Sequence, residues 1–135
     1  MKIKNVIITG PTGAVGIALI NECIKNGISV TAVCRKSSKR IGHLPKSQLV
    51  KVVECNLDEL LTLEKVLRHD YDVFYHFGWD GTYGESRQDL YLQNSNVKYT
   101  LDAVNLAKFL NCRVFIGAGS QSEFGHIDGI LHPYA

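Results

Sequence analysis

The chain has 135 residues, 45% of them hydrophobic and 21% charged, and carries a net charge of +2 at pH 7. That length supports one domain with a modest core, and so small a net charge gives no basis for nucleic-acid binding. No apolar stretch approaches the roughly 20 residues of a membrane-spanning helix, and the cysteines, Cys23, Cys34, Cys55 and Cys112, lack metal-site spacing and read as reduced, buried thiols of a cytoplasmic protein.

Met1 leads at once into the first strand, Val6-Ile7-Ile8, with no targeting segment ahead of it. Such a β-branched run suits a parallel sheet buried on both faces. It breaks into Gly10, Gly13 and Gly16 and then into a helix from about Gly13 to Asn26, with Val15, Leu19 and Cys23 on one face and Gly27 at its end in the left-handed C′ position. Strand, glycine turn and helix start in that order form a dinucleotide site: backbone approaches the pyrophosphate, and the free N–H groups of the helix N-terminus face the anion. A P-loop is excluded, because no Gly-Lys-Ser/Thr follows.

Ile28 to Cys34 reads as the second strand, followed by the basic run Arg35-Lys36-Ser37-Ser38-Lys39-Arg40. Leu49 to Val53 is the third strand, and Asn56-Leu57-Asp58-Glu59 opens a helix carrying Leu60, Leu61, Leu63, Val66 and Leu67, with Asn56 as N-cap and Glu59 placed to complete a capping box. Tyr71 to Phe77 is the fourth strand, and the loop from Gly78 to Gly84 is rich in glycine and aromatics. His76 reads as a hydrogen-bonded core histidine rather than a catalytic one. Ser86, with Asp89 three positions on, predicts a helix start. That helix runs to about Leu110 with Val97, Leu101, Val104 and Ala107 along one face, and Val114-Phe115-Ile116 is the fifth strand. Alternating strands and helices imply an α/β, doubly wound parallel sheet of Rossmann type in the order 3-2-1-4-5, with ligands at the carboxyl ends of the strands.

Thr9-Gly10-x-x-Gly13-x-x-Gly16 resembles the TGxxGxxG turn of the extended short-chain dehydrogenases/reductases, the NAD-dependent epimerase/dehydratase family. S-adenosylmethionine binding fits the sheet but not this turn. The resemblance places Thr9, Gly10, Thr12, Gly13, Ala14, Val15 and Gly16 about the cofactor. NAD sites usually carry an acid at the end of strand two. Here Cys34-Arg35-Lys36 stands in its place, and Arg35 with Lys39 or Arg40 suits the 2′-phosphate of NADP, which favours NADP over NAD; the bland alternative is a solvated basic loop. Asn56 and Leu57 occupy the adenine end, where the family more often has Asp. Phe77, Gly78 and Trp79 form the loop that backs the cofactor in related enzymes. Asn94 to Thr100 resembles the family's NxNxxGT segment, with Tyr99 in place of Gly, and Asn96 there fixes backbone near the site.

At the end of strand five, Gly117-Ala118-Gly119-Ser120-Gln121-Ser122-Glu123-Phe124-Gly125 is similar to the family's catalytic segment, and its register favours Ser120 over Ser122 as the catalytic hydroxyl. The family adds a Tyr and, four residues later, a Lys. A phenol with pKa near 10 becomes a base at neutral pH only beside a cation. Tyr134 fits the Tyr, although the gap from Ser120 is short; the Lys belongs at position 138, beyond Ala135. The resemblance thus spans only the family's N-terminal part, residues 1–135, and the chain reads as truncated and inactive without its substrate region. It implies a small-molecule, nucleotide-sugar substrate, no metal, and an open strand-five edge suited to self-association. The alternative is a non-catalytic NADP(H)-binding or redox-sensing module of the same fold.

Overall fold

A computed structural model describes residues 2–120. The five apolar runs become β1 (Asn5–Thr9), β2 (Ser29–Cys34), β3 (Val50–Glu54), β4 (Val73–His76) and β5 (Val114–Gly117). All pair in parallel in the order β3-β2-β1-β4-β5, as the alternation of strand and helix patterns requires. Successive β1 side chains point to opposite faces. Ile7 joins Phe74, Leu60, Leu63, Leu106 and Leu110 on one side, while Val6 and Ile8 join Val30, Val73, Ile20 and Cys23 on the other. The second side is covered by α1 (Ala14–Lys25) and the first by α2 (Leu90–Phe109) and a 3₁₀ segment (Leu57–Lys65).

Both α-helices end in the same six-residue closure. Gly27, at φ +67°, lets Ile28 N–H reach the Cys23 carbonyl at 2.9 Å. Asn111, at φ +55°, lets Cys112 N–H reach the Ala107 carbonyl at 2.9 Å. At the amino end of the sheet, Asp72 ties three strands: its carboxylate accepts from Lys4 N–H at 2.7 Å, Asn5 N–H at 3.1 Å and Arg113 Nη1 at 3.2 Å.

Several local expectations change. On α1, Val15 is 65% exposed, and the buried face is Gly16, Ile20 and Cys23. The helix after β3 is 3₁₀ rather than α, because Leu57, Leu60 and Leu63 recur every three residues and line up at three residues per turn; Leu60 and Leu63 are buried, while Leu61 and Val66 lie outside. The long helix starts at Asp89, not Ser86. Asp89 Oδ1 accepts from Tyr91 and Leu92 N–H at 3.0 and 3.1 Å, whereas Ser86 sits in a 3₁₀ turn (Gly84–Gln88) and its hydroxyl donates backward to the Tyr83 carbonyl at 2.6 Å. Val97, Leu101 and Val104 are 55%, 60% and 44% exposed. The face against the sheet is Ala103, Leu106, Leu110 and, as expected, Ala107, since two alanines let the helix backbone approach closely; Asn96, also buried, bonds the loop at Asp80.

Candidate functional site

Parallel pairing fixes which residues meet at the carboxyl edge. Thr9 lies opposite Val33 of β2 and His76 of β4, and His76 lies opposite Gly117 of β5. The glycine turn, the basic loop, the glycine-aromatic loop and Ser120 therefore all leave from one edge of the sheet.

The three glycines of the turn have different reasons to be glycine. Gly10 stands at φ +66°, and a Cβ there would fall 2.6 Å from the Phe77 carbonyl carbon. A Cβ on Gly16 would meet Pro11 Cα and O at 2.7 Å. Both are demanded by packing of the chain on itself. At Gly13 the nearest protein atom would be 3.6 Å away, an ordinary contact, so the chain itself leaves room there for a side chain. Gly13 is also the N-cap of α1, with no side chain to cap the helix and no acid in the first turn. The N–H groups of that first turn have no intrahelical acceptor and carry the positive end of the helix dipole. Thr12 is half-buried, Ala14 is exposed and Val15 is 65% exposed around them. An uncapped helix N-terminus with open space beside it is a place that could hold an anion.

Thr9 joins the turn to the loop after β4. Its Oγ1 accepts from Gly78 N–H at 3.2 Å and shares a hydrogen bond with His76 Nδ1 at 2.8 Å, and Phe77 N–H reaches the Thr9 carbonyl at 3.1 Å. Gly78 has Leu57 Cδ2 and Thr9 Oγ1 at 2.8 and 3.2 Å from where a Cβ would stand, so Leu57 from the β3 side closes over the β4 loop. His76 is buried and stacks near Phe115, with ring centroids 6.2 Å apart. Its burial lowers the imidazole pKa to about 4, and its Nε2 has no hydrogen-bond partner among the described residues.

Of the expected capping box only the Glu59 half is in place: the Asn56 N–H bonds the Glu59 carboxyl, while the Asn56 side chain does not cap the helix. Asn56 Oδ1 instead accepts from Lys36 N–H at 3.1 Å, fastening the β2 loop to β3, and the Asn56 side chain caps nothing. Glu59 turns to Lys36, whose Nζ lies at 2.6 Å; this bond first, then the Lys36 charge and the Asn56 N–H, hold the carboxyl below its ordinary range. Ser37, at φ +56°, donates its N–H to Glu54 Oε1 at 2.9 Å. Of the basic run, Lys36 is thus committed. Arg35 is exposed and makes no ion pair among the described residues, and Lys39 and Arg40 lie in a 3₁₀ turn (Lys39–His43).

On the other side of the edge, α2 clamps the loop after β4. Asn96, buried, accepts from Asp80 N–H at 2.9 Å and donates to the Asp80 carbonyl at 2.8 Å. Asn96 therefore holds loop backbone. Gln93 Oε1 accepts from the Trp79 indole N–H at 2.8 Å, while its amide donates to the Gly81 and Ser86 carbonyls at 3.0 and 3.1 Å. A cavity of about 810 Å³ opens between this loop, α2 and the end of β5. Phe77, Gly78, Trp79 and Ser120 line it, as do His76 and four α2 residues, Gln93, Val97, Thr100 and Leu101. Tyr134 and Ser122 lie outside the described residues.

Gln93, Arg87 and Thr100 were not singled out from sequence. The signal for Gln93 was its position three residues before Asn96, one helical turn, facing a loop that needs anchoring. Among the described residues no three metal-ligating side chains stand together, and no helix is long and apolar enough to cross a membrane. The four cysteines are free, three of them buried.

With this geometry in hand, the sequence profile of the NAD-dependent epimerase/dehydratase family matches residues 6–134. The chain belongs to the NAD-dependent epimerase/dehydratase family. Among curated protein sequences none matches. Among solved structures, a UDP-N-acetylglucosamine 4-epimerase from Methanobrevibacter ruminantium in complex with UDP-N-acetylmuramic acid is similar at 25% identity and a TM-score of 0.76, over 93% of this chain and 40% of that one. An epimerase from Methanothermobacter thermautotrophicus is similar at 20% identity and a TM-score of 0.76, over 89% of this chain and 36% of that one. The enzyme WbmG from Bordetella bronchiseptica, in complex with NAD, is similar at 15% identity and a TM-score of 0.70, over 86% and 37%. The chain of this epimerase/dehydratase family member thus spans well under half the length of these structures.

Proposed function

We propose that this chain is the cofactor-binding part of a nucleotide-sugar epimerase, dehydratase or reductase. The observation that carries the reading is the division among the glycines: Gly10 and Gly16 are closed by protein atoms, while Gly13 is open at an uncapped helix N-terminus. An uncapped, acid-free N-terminus behind an open glycine fits a dinucleotide pyrophosphate. A bound nicotinamide dinucleotide would supply hydride transfer. Thr9 and Gly78 then brace the floor of the site, and Leu57 and Asn56 border its adenine end. Ser120, at the cavity wall, holds a sugar hydroxyl by hydrogen bonding, and Tyr134 serves as the phenolic base that removes its proton. Arg35 favours NADP over NAD, because it is the first basic side chain after β2 and is spent on no carboxylate. Self-association through the β5 edge, where Val114 and Ile116 are 37% and 41% exposed, is part of the same reading; light scattering should give a mass that rises with concentration.

The test is a titration with NADPH and NADH followed by nicotinamide fluorescence. The expected result is saturable binding that favours NADPH and loses that preference in Arg35→Ala. Absence of binding to both would refute the reading.

A further inference from the structure

The cavity beside the glycine turn holds no acidic side chain among its described lining residues, and its one histidine is kept neutral at pH 7 by burial. Arg87 is the one formally charged side chain among them. It is exposed and has no hydrogen bond or ion pair among the described residues. The acids nearest in sequence leave it so: Asp89 is occupied by the N–H groups of Tyr91 and Leu92, and Glu85 forms no bridge to it.

The backbone at the root of this side chain is held in place. The carbonyl of Ser86, one residue before it, is held by the Gln93 amide at 3.1 Å and by Asp89 N–H at 3.3 Å. The same Gln93 fixes the Trp79 indole through its N–H at 2.8 Å, leaving the ring 46% exposed on the cavity wall. One buried-edge amide therefore sets both an aromatic face and the root of an arginine over a single cavity. An amphipathic aromatic face receives the apolar side of a pyranose, and the planar fork of arginine matches paired oxyanion oxygens.

We propose that Trp79 and Arg87 form a subsite for a sugar carrying an oxyanion, with the pyranose against the indole and the anion on the guanidinium. This rests on the nucleotide-sugar reading above and narrows it to the chemistry that Arg87 recognises. The oxyanion has two possible sources in such a substrate, a diphosphate or a sugar carboxylate, and the experiment separates them.

Trp79 is the only tryptophan of the chain, so its fluorescence, excited at a wavelength where uridine is transparent, reports the subsite directly. Wild type, Arg87→Gln and Arg87→Lys are titrated with UDP-glucose, UDP-glucuronic acid and UDP, and NADH binding is measured separately on each. Saturable change in Trp79 emission is expected, weakened roughly tenfold or more in Arg87→Gln, the scale of one charge-assisted fork, with Arg87→Lys between the two. A loss confined to UDP-glucuronic acid assigns the carboxylate; an equal loss for all three ligands assigns the diphosphate. Affinities unchanged in Arg87→Gln, or no sugar nucleotide bound by wild type, overturn the subsite whether or not NADH binds. NADH binding lost in wild type with Arg87-dependent sugar-nucleotide binding intact would instead refute the cofactor reading alone.

Discussion

Lowering the pH from 7 to 4 should destabilise this chain by about 3 kcal/mol through His76. Burial alone pulls that imidazole from its ordinary 6.5 down to about 4. At roughly 1.4 kcal/mol per pH unit, the difference in proton affinity between unfolded and folded chain amounts to about 3 kcal/mol. The unfolded chain binds the proton near pH 6.5 and the folded chain resists it until about 4, so stability falls as pH drops through that window and the contribution is flat on either side. The cost is large because a charged ring would have to sit between Thr9 and Phe115 with no partner for Nε2 among the described residues. Urea unfolding followed by far-UV circular dichroism at pH 7, 6, 5 and 4.5 measures it. The carboxyls of Asp72 and Glu59, also held low, add their own loss at the acid end, so the decisive quantity is the difference between wild type and His76→Gln. Stability curves for the two proteins that run parallel from pH 6.5 to 4.5 would refute the assignment.

The glycine turn separates fold from function in a second comparison. Gly10→Ala, which adds a Cβ 2.6 Å from Phe77 backbone at a positive φ, should lower stability by about 2 kcal/mol or more, whereas Gly13→Ala should change the urea midpoint little yet abolish nicotinamide nucleotide binding. Asp72→Asn removes the charge that Lys4, Asn5 and Arg113 all bond, and thermal unfolding should register a loss of about 2 kcal/mol. Burial pushes the Cys34 and Cys112 thiols up to about 11, so labelling by a disulfide reagent at pH 8 should be slow in the native chain and rapid for all four cysteines in denaturant; fast native labelling would count against the packing.

The sheet was legible in the sequence because each strand is a short run of Val, Ile, Phe or Cys between polar punctuation, and a parallel order follows from alternation with helices. The glycine turn was legible as a motif, but not that one of its three glycines is free of internal packing, which depends on Phe77 and Pro11 as neighbours in space. Helix faces were read less well. Of the predicted face Val97, Leu101, Val104 and Ala107, only Ala107 is buried, and the sheet takes Ala103 beside it, since close approach of a helix to a sheet rewards small side chains that a hydrophobicity count undervalues. Asn56 and Glu59 satisfied a local pattern, but each had a better partner twenty or more residues away in Lys36. Local signals are overridden wherever a long-range partner offers a charge.

Gln93, which the sequence did not single out, and Asn96, which it expected to fix backbone near the site, share one property, and it bears on what the edge of this sheet does. Gln93 and Asn96 are polar side chains one helical turn apart that spend their hydrogen bonds on loop backbone at Asp80, Gly81 and Ser86. A loop with glycines at positive φ, Gly81 at +74° and Gly84 at +61°, would otherwise sample many conformations at an entropic cost on binding. By anchoring it from α2, the chain pays that cost during folding, so Trp79 and Arg87 meet a ligand already placed. Gln93→Ala is the direct test of this preorganisation: it removes no cavity charge, yet it should weaken sugar-nucleotide binding while leaving nicotinamide nucleotide affinity at the glycine turn unchanged. Equal weakening of both would mean the loop braces the whole edge through Thr9 and Gly78 rather than the subsite alone.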